Sequence, residues 1–217
     1  LAIFLSTHTF AIENQMLLKA GPSFASAHLE AREGSKDDFG GWGFNTHFGK
    51  KWVKWETTFS SYVYWGKIES PLRFRAQEQD ITGSGSYTHV SFGPIIKYHL
   101  NNYQIFEHWQ FYLGAGPVWS HQAIKLDRFT TTGSFNQNQK LTFSSFGGAF
   151  VFGIEENLPS KEMHPVYIEL LYSYKKSDEA SVVDLSKVTE TNVLSSEERK
   201  QDIQGHFIMV SFGLLIF

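Results

Sequence analysis

His89 and Ser91 are separated by a single residue, and their types could do chemistry together. In an extended strand, residues two apart share a face. The imidazole could then act as a base on the seryl hydroxyl, making it a nucleophile for acyl transfer, but ordinary strand packing is the preferred reading of both residues and no catalytic residue is expected. A second set comprises Glu56, Lys97 and Glu169, with Tyr112 and His47, all set in otherwise apolar or small-residue stretches. Charges placed there must be paired or hydrated if the segments are buried. Metal chemistry finds no support in the spacing, because the nine His residues are dispersed with no His-x-His pair or acidic loop beside them. The absence of Cys excludes disulfides, thiolate metal sites and a cysteine nucleophile. Neither metal nor cofactor is expected.

The elements that would carry these residues alternate with period two. From Trp52 to Trp65, Val53, Trp55, Thr57, Phe59, Ser61, Val63 and Trp65 take one face, and Lys54, Glu56, Thr58, Ser60, Tyr62 and Tyr64 the other. Before it, Trp42, Phe44, Thr46 and Phe48 share a face, and Lys50-Lys51 reads as the join of a hairpin. Further strands are read over 16–30, 85–99, 110–120, 140–153, 165–175 and 205–217, eight in all. Pro94 and Pro117 each remove a ladder donor from a strand interior, which predicts bulges or missing ladder bonds. Residues 1–15 form an N-terminal extension outside this pattern.

Joins near 50–51, 100–104 and 154–164 are short or moderate. Those near 31–39, 67–84, 121–139 and 176–204 are mostly longer and polar. No stretch reaches the roughly 20 apolar residues of a membrane-spanning helix, but strands of about 10 residues in a closed barrel also satisfy every backbone group in lipid. The composition suits that solution: 16% aromatic, only 19% charged, with 20 Phe. A formal net charge of -3 argues against nucleic acid as a partner. Trp42, Trp52, Trp55, Trp65, Trp109 and Trp119 lie mainly near strand ends, where rings sit at a headgroup boundary.

The last strand, His206 to Phe217, is amphipathic and ends in Phe217. With the alternating joins, it resembles the small eight-stranded outer-membrane barrels of Gram-negative bacteria, of the OmpA membrane-domain, OmpX and OmpW type, over residues 16–217. The resemblance implies an all-β, transmembrane, antiparallel up-and-down barrel of eight strands, resident in the outer membrane. It also implies Phe217 as part of an assembly signal read by the barrel assembly machinery, and contact with outer-membrane lipids and lipopolysaccharide. His89-Val90-Ser91 is faintly similar to the His-x-Ser element of outer-membrane lipid A deacylases. Their pattern continues Asn-Ala where this chain has Phe92-Gly93, and their pair faces lipid whereas the parity here sends His89 and Ser91 inward.

Eight strands leave an interior that side chains nearly fill. The expectation is a plugged barrel acting as a structural or surface-interaction protein, whose loops meet an extracellular protein or saccharide. The lumen would hold Glu56, Lys97, Glu169, Tyr112 and His47. A narrow channel for small or hydrophobic solutes is the alternative, and a lipid A hydrolase a more distant one.

Overall fold

The computed structural model describes residues 15–31, 34–76, 79–100, 109–131, 139–156, 164–184, 191–192 and 200–216. The N-terminal extension up to residue 14 and Phe217 lie outside them. The strands are β1 (Gln15–Glu30), β2 (Lys36–Trp52), β3 (Trp55–Ala76), β4 (Gln79–Leu100), β5 (Trp109–Thr131), β6 (Gln139–Glu156), β7 (Val166–Asp184) and β8 (Lys200–Leu215). Each pairs antiparallel with its chain neighbours, and β8 pairs with β1, so the sheet closes into an eight-stranded up-and-down barrel. Thr191–Asn192 adds a two-residue ladder on Val182–Val183.

The register sets the geometry of the bore. Following partners from Ala20 through Thr46, Ser61, Phe92, Trp119, Phe146, Lys176 and Gln204 returns to β1 at Glu30, ten residues from the start. Such a stagger tilts the strands against the barrel axis. Side chains that share a height are therefore not ladder partners, which is how residues far apart in the ladder come to meet inside.

The β2–β3 turn is Val53–Lys54, with Trp52 opposite Trp55, rather than the expected Lys50-Lys51. Parity explains the difference. Trp52 belongs to the outward set of β2 with Trp42, Phe44 and Phe48, and a turn three residues earlier would have driven it into the lumen. The two-residue turn forces a left-handed backbone on Val53 (φ 34), a conformation that β-branched residues rarely adopt.

Pro94 and Pro117 stand opposite one another. Pairing of β4 with β5 stops after Phe92↔Trp119 and resumes at Ile96↔Ala115 without a change of register. The prolines thus remove ladder bonds but create no bulge. Gly93 and Gly116, which precede them, let the strands approach: a Cβ on Gly116 would lie 1.9 Å from the Pro94 carbonyl oxygen.

The strands also run through much of what reads as loop. Only residues 77–78 separate β3 from β4, and β5 continues to Thr131. The expected polar joins at 67–84 and 121–139 are therefore largely strand, and short and long joins do not alternate strictly. The reason is visible in the faces. Trp42 and Trp52, and likewise Trp55 and Trp65, are ten residues apart and all exposed on the outside. Ten residues at ~3.3 Å, tilted by ~40°, span ~25 Å, the height of an outward apolar band crossing a bilayer. Between these rings the outside carries Phe44, Phe48, Phe59, Phe150, Leu113 and Ile96, all exposed. Past Trp42 and Trp65, away from the Val53–Lys54 turn, the outside becomes Lys36, Asp38, Lys67, Glu69, Lys125 and Asp127, while Leu29, Ile68, Leu72, Ile124, Leu141 and Phe143 fill the inside. Alternation persists there, but its sense is inverted. Where β3 leaves the band, a register shift between Ile68 and Leu72 accommodates Pro71, and Asp37 accepts the Glu69 backbone N–H at 2.8 Å.

Candidate functional site

The lumen near the Val53–Lys54 turn is where chemistry-bearing side chains converge. Glu56 follows that turn on β3 and Lys97 lies opposite it on β4, so the hairpin delivers both to one height. Lys19 on β1 reaches across to Glu56 at 2.9 Å and to Glu155 on β6 at 2.6 Å. Lys97 donates to Glu169 on β7 at 2.5 Å and lies 3.5 Å from Glu56. Lys51 completes the set by pairing with Glu155.

Neutral groups use the remaining lone pairs. Tyr112 donates to Glu169 at 3.0 Å, and Tyr62 to its other oxygen at 3.3 Å. A nitrogen of His99 lies 3.1 Å from Glu56. His47 hydrogen-bonds Ser60 at 2.8 Å and directs its other nitrogen toward Glu169 at 3.7 Å. Tyr167 bonds the Asn45 side chain, which itself donates to the Gly21 carbonyl at 3.0 Å.

Three lysines thus meet three glutamates, and the charges balance without an ion from outside. Glu56, Lys97, Glu169 and His47 are wholly buried, so the balance is a condition of folding: desolvated charges cost several kcal/mol each when unpaired. Glu56, His99 and Glu155 do bring three ligand atoms within 4.8 Å of one another, a convergence that their spacing in the chain does not reveal. Lys19 and Lys51 already supply the positive charge at these carboxylates.

All five side chains expected in the lumen, Glu56, Lys97, Glu169, Tyr112 and His47, are brought together there. Sequence reasoning missed Lys19, Lys51, His99 and Glu155. Glu155 and Lys51 fell within stretches taken as joins, and His99 at a strand end. Lys19 had a detectable signal, since its parity is opposite to Leu18, Ala20 and Phe24.

A second polar cluster lies farther from the turn. His89 hydrogen-bonds the Tyr87 hydroxyl at 3.1 Å and Lys175 Nζ at 2.7 Å. Tyr87 donates to Gln122, which donates to Ser145 at 2.7 Å. His89 and Ser91 are both buried in the lumen. Because both ring nitrogens of His89 are engaged by Tyr87 and Lys175, neither serves Ser91 as a base.

The indoles face out, as their parity requires. Trp42 packs on Trp65 with ring centroids 5.1 Å apart, Trp119 on Phe146 at 5.2 Å and Trp55 on Tyr98 at 4.8 Å. Trp52 is exposed near the turn, and Trp109, at the start of β5, is half-buried. They form two rings, at the two edges of the apolar band.

No protein-family model and no curated protein matches this chain. Among solved structures, it is similar to Neisserial surface protein A, at 13% identity and a TM-score of 0.49, over 93% of this chain and 98% of that one. It is also similar to Ail, the attachment invasion locus protein of Yersinia pestis (14%, TM-score 0.43, 93% and 99% covered). The outer membrane protein OprG from Pseudomonas aeruginosa is a third (14%, TM-score 0.46, 94% and 95%). Likeness at this level carries no argument about activity; the barrel stands on its own register and faces.

Proposed function

We propose that this protein is an integral outer-membrane barrel of a Gram-negative cell. Its lumen is plugged, and its work is structural or consists of surface interaction through the wall and loops beyond the Trp42–Trp65 ring. The observation that carries this reading is the set of bonds crossing the bore. Tyr62 on β3 bonds Glu169 on β7, the diametrically opposite strand, and Lys19 on β1 bonds Glu155 on β6. These chords tie facing walls together at the level where a solute would have to pass. Outer-membrane lipids and lipopolysaccharide are the partners suited to the apolar band and its aromatic edges, and the barrel assembly machinery is the route of insertion. An extracellular protein or saccharide would meet the charged surface beyond. The engagement of both His89 nitrogens favours a non-enzymatic role.

A narrow channel is the second reading, favoured by one observation. The hydroxyls of Ser23, Ser173 and Ser211 are buried in the lumen without a hydrogen-bond partner, as expected where water fills part of a bore. Single-channel recording in a planar bilayer separates the two. The plugged barrel, verified as folded and inserted, gives no discrete openings. Openings in the wild type that change with Glu56→Ala or Lys97→Ala would establish the channel instead.

A further inference from the structure

Lys175 is the buried amine that the balanced network does not pair. Its side chain is 2% exposed. Lys19 and Lys97 each contact two glutamates. Among the described residues, by contrast, no carboxylate stands within ion-pair distance of Lys175. Glu169, the glutamate below it on β7, is six residues away, ~20 Å along the strand, and is held by Lys97, Tyr62 and Tyr112.

The hydrogen bonds around Lys175 have a direction. With Lys175 as an ammonium, which can only donate, His89 Nε2 accepts at 2.7 Å and the imidazole proton sits on Nδ1. Nδ1–H then donates to the Tyr87 hydroxyl at 3.1 Å, Tyr87 donates to Gln122 Oε1, and Gln122 Nε2 donates to Ser145. Every donor in this chain points away from Lys175, and no acceptor with negative charge closes it. One of the three ammonium donors is used by His89. The positive charge also lies 4.8 Å from the Phe207 ring centre, a weak substitute for a counter-ion.

The wall beside it is short of partners as well. Ser173, one step along the same inward row of β7, is 1% exposed and its hydroxyl has no hydrogen bond. An ammonium with donors to spare and an unpartnered hydroxyl two residues away on the same inward row make a donor set for an anion.

We propose that the lumen holds one small monovalent anion, of halide size, against Lys175 Nζ, with Ser173 as a further donor directly or through water. Lys175 held as an ammonium carries one charge, which calls for one negative charge. The site is distinct from the ion pairs near the turn.

The test uses the whole folded barrel in detergent, with sodium bromide compared against sodium gluconate at equal ionic strength. Crystals grown in bromide should show an anomalous peak in contact with Lys175 Nζ, and thermal unfolding should shift up by about 2–4 °C in bromide. Lys175→Met should abolish both effects. Ser173→Ala, which keeps the cation, should raise severalfold the bromide concentration needed for half the shift, and it serves if the Met variant does not fold. Absence of a peak at saturating bromide, a peak at Lys19 or Lys97 instead, or an undiminished shift in Lys175→Met would overturn the site.

Discussion

The membrane-spanning part of the barrel and its extension beyond Trp42 and Trp65 are built from the same strands on opposite plans. In the span, Phe59 and Phe150 face out while Glu56, Lys97 and Glu169 face in. In the extension, Lys67 and Lys125 face out while Ile68, Ile124 and Leu141 face in. Period-two alternation fixes only that successive side chains take opposite faces. The surrounding medium decides which face must be apolar, and here it changes part-way along the strand. Cohesion changes with it, from paired charges in the span to close-packed aliphatic and aromatic side chains beyond.

Breaking the paired-charge region should produce the largest effect. Glu56→Ala leaves Lys19, Lys97 and His99 short of an acceptor inside the bore and should cost about 3–5 kcal/mol in reversible urea unfolding. Replacing Lys19 and Glu56 together with Met and Leu should recover much of that, since apolar packing can substitute for a buried pair. A cost below about 1 kcal/mol for Glu56→Ala would mean that water reaches the network freely.

An arginine placed on the outside locates the boundary between the two plans. Phe150→Arg, on a fully lipid-directed ring near the middle of the band, should cost about 2–4 kcal/mol in the same assay. Ser144→Arg, outward on the same strand but beyond the band, should stay within about 0.5 kcal/mol. Equal costs at the two positions would erase the proposed change of medium.

The smallest effect concerns the turn itself. Val53 is largely exposed and holds φ at 34, so Val53→Gly should relieve a left-handed strain with little packing to lose. A gain of up to about 1 kcal/mol in unfolding free energy is expected. A loss would show that the valine contributes contacts at the membrane edge.

Much of the barrel could be read directly. The faces of β3 from Trp55 to Trp65 and of β7 from Val166 to Lys175 follow from alternation alone, and they put Glu56 and Glu169 inside. Reading failed where its assumption failed. Lys67-Ile68-Glu69 reads as loop because polar residues normally mark loops, yet each polar residue there occupies the outward face of a strand already clear of lipid. Lys51, His99 and Glu155 are hidden for a related reason: charges at strand ends read as joins. The β2–β3 turn lies three residues beyond Lys50-Lys51, the more polar dipeptide, and the parity of Trp52 carries that answer.

The sequence by itself determined the all-β class, the inward and outward sets of most strands and the aromatic edges of the band, because each depends only on local periodicity and on the partition of side chains between lipid and water. Tertiary structure decided the rest through the ten-residue stagger of the closed sheet. That stagger raises each strand relative to its neighbour, so that Lys19 meets Glu56 and Glu155 while Lys175 meets His89 and the Phe207 ring. No spacing along the chain encodes those encounters; they arise when a tilted sheet closes on itself and its inward side chains must satisfy one another across the bore.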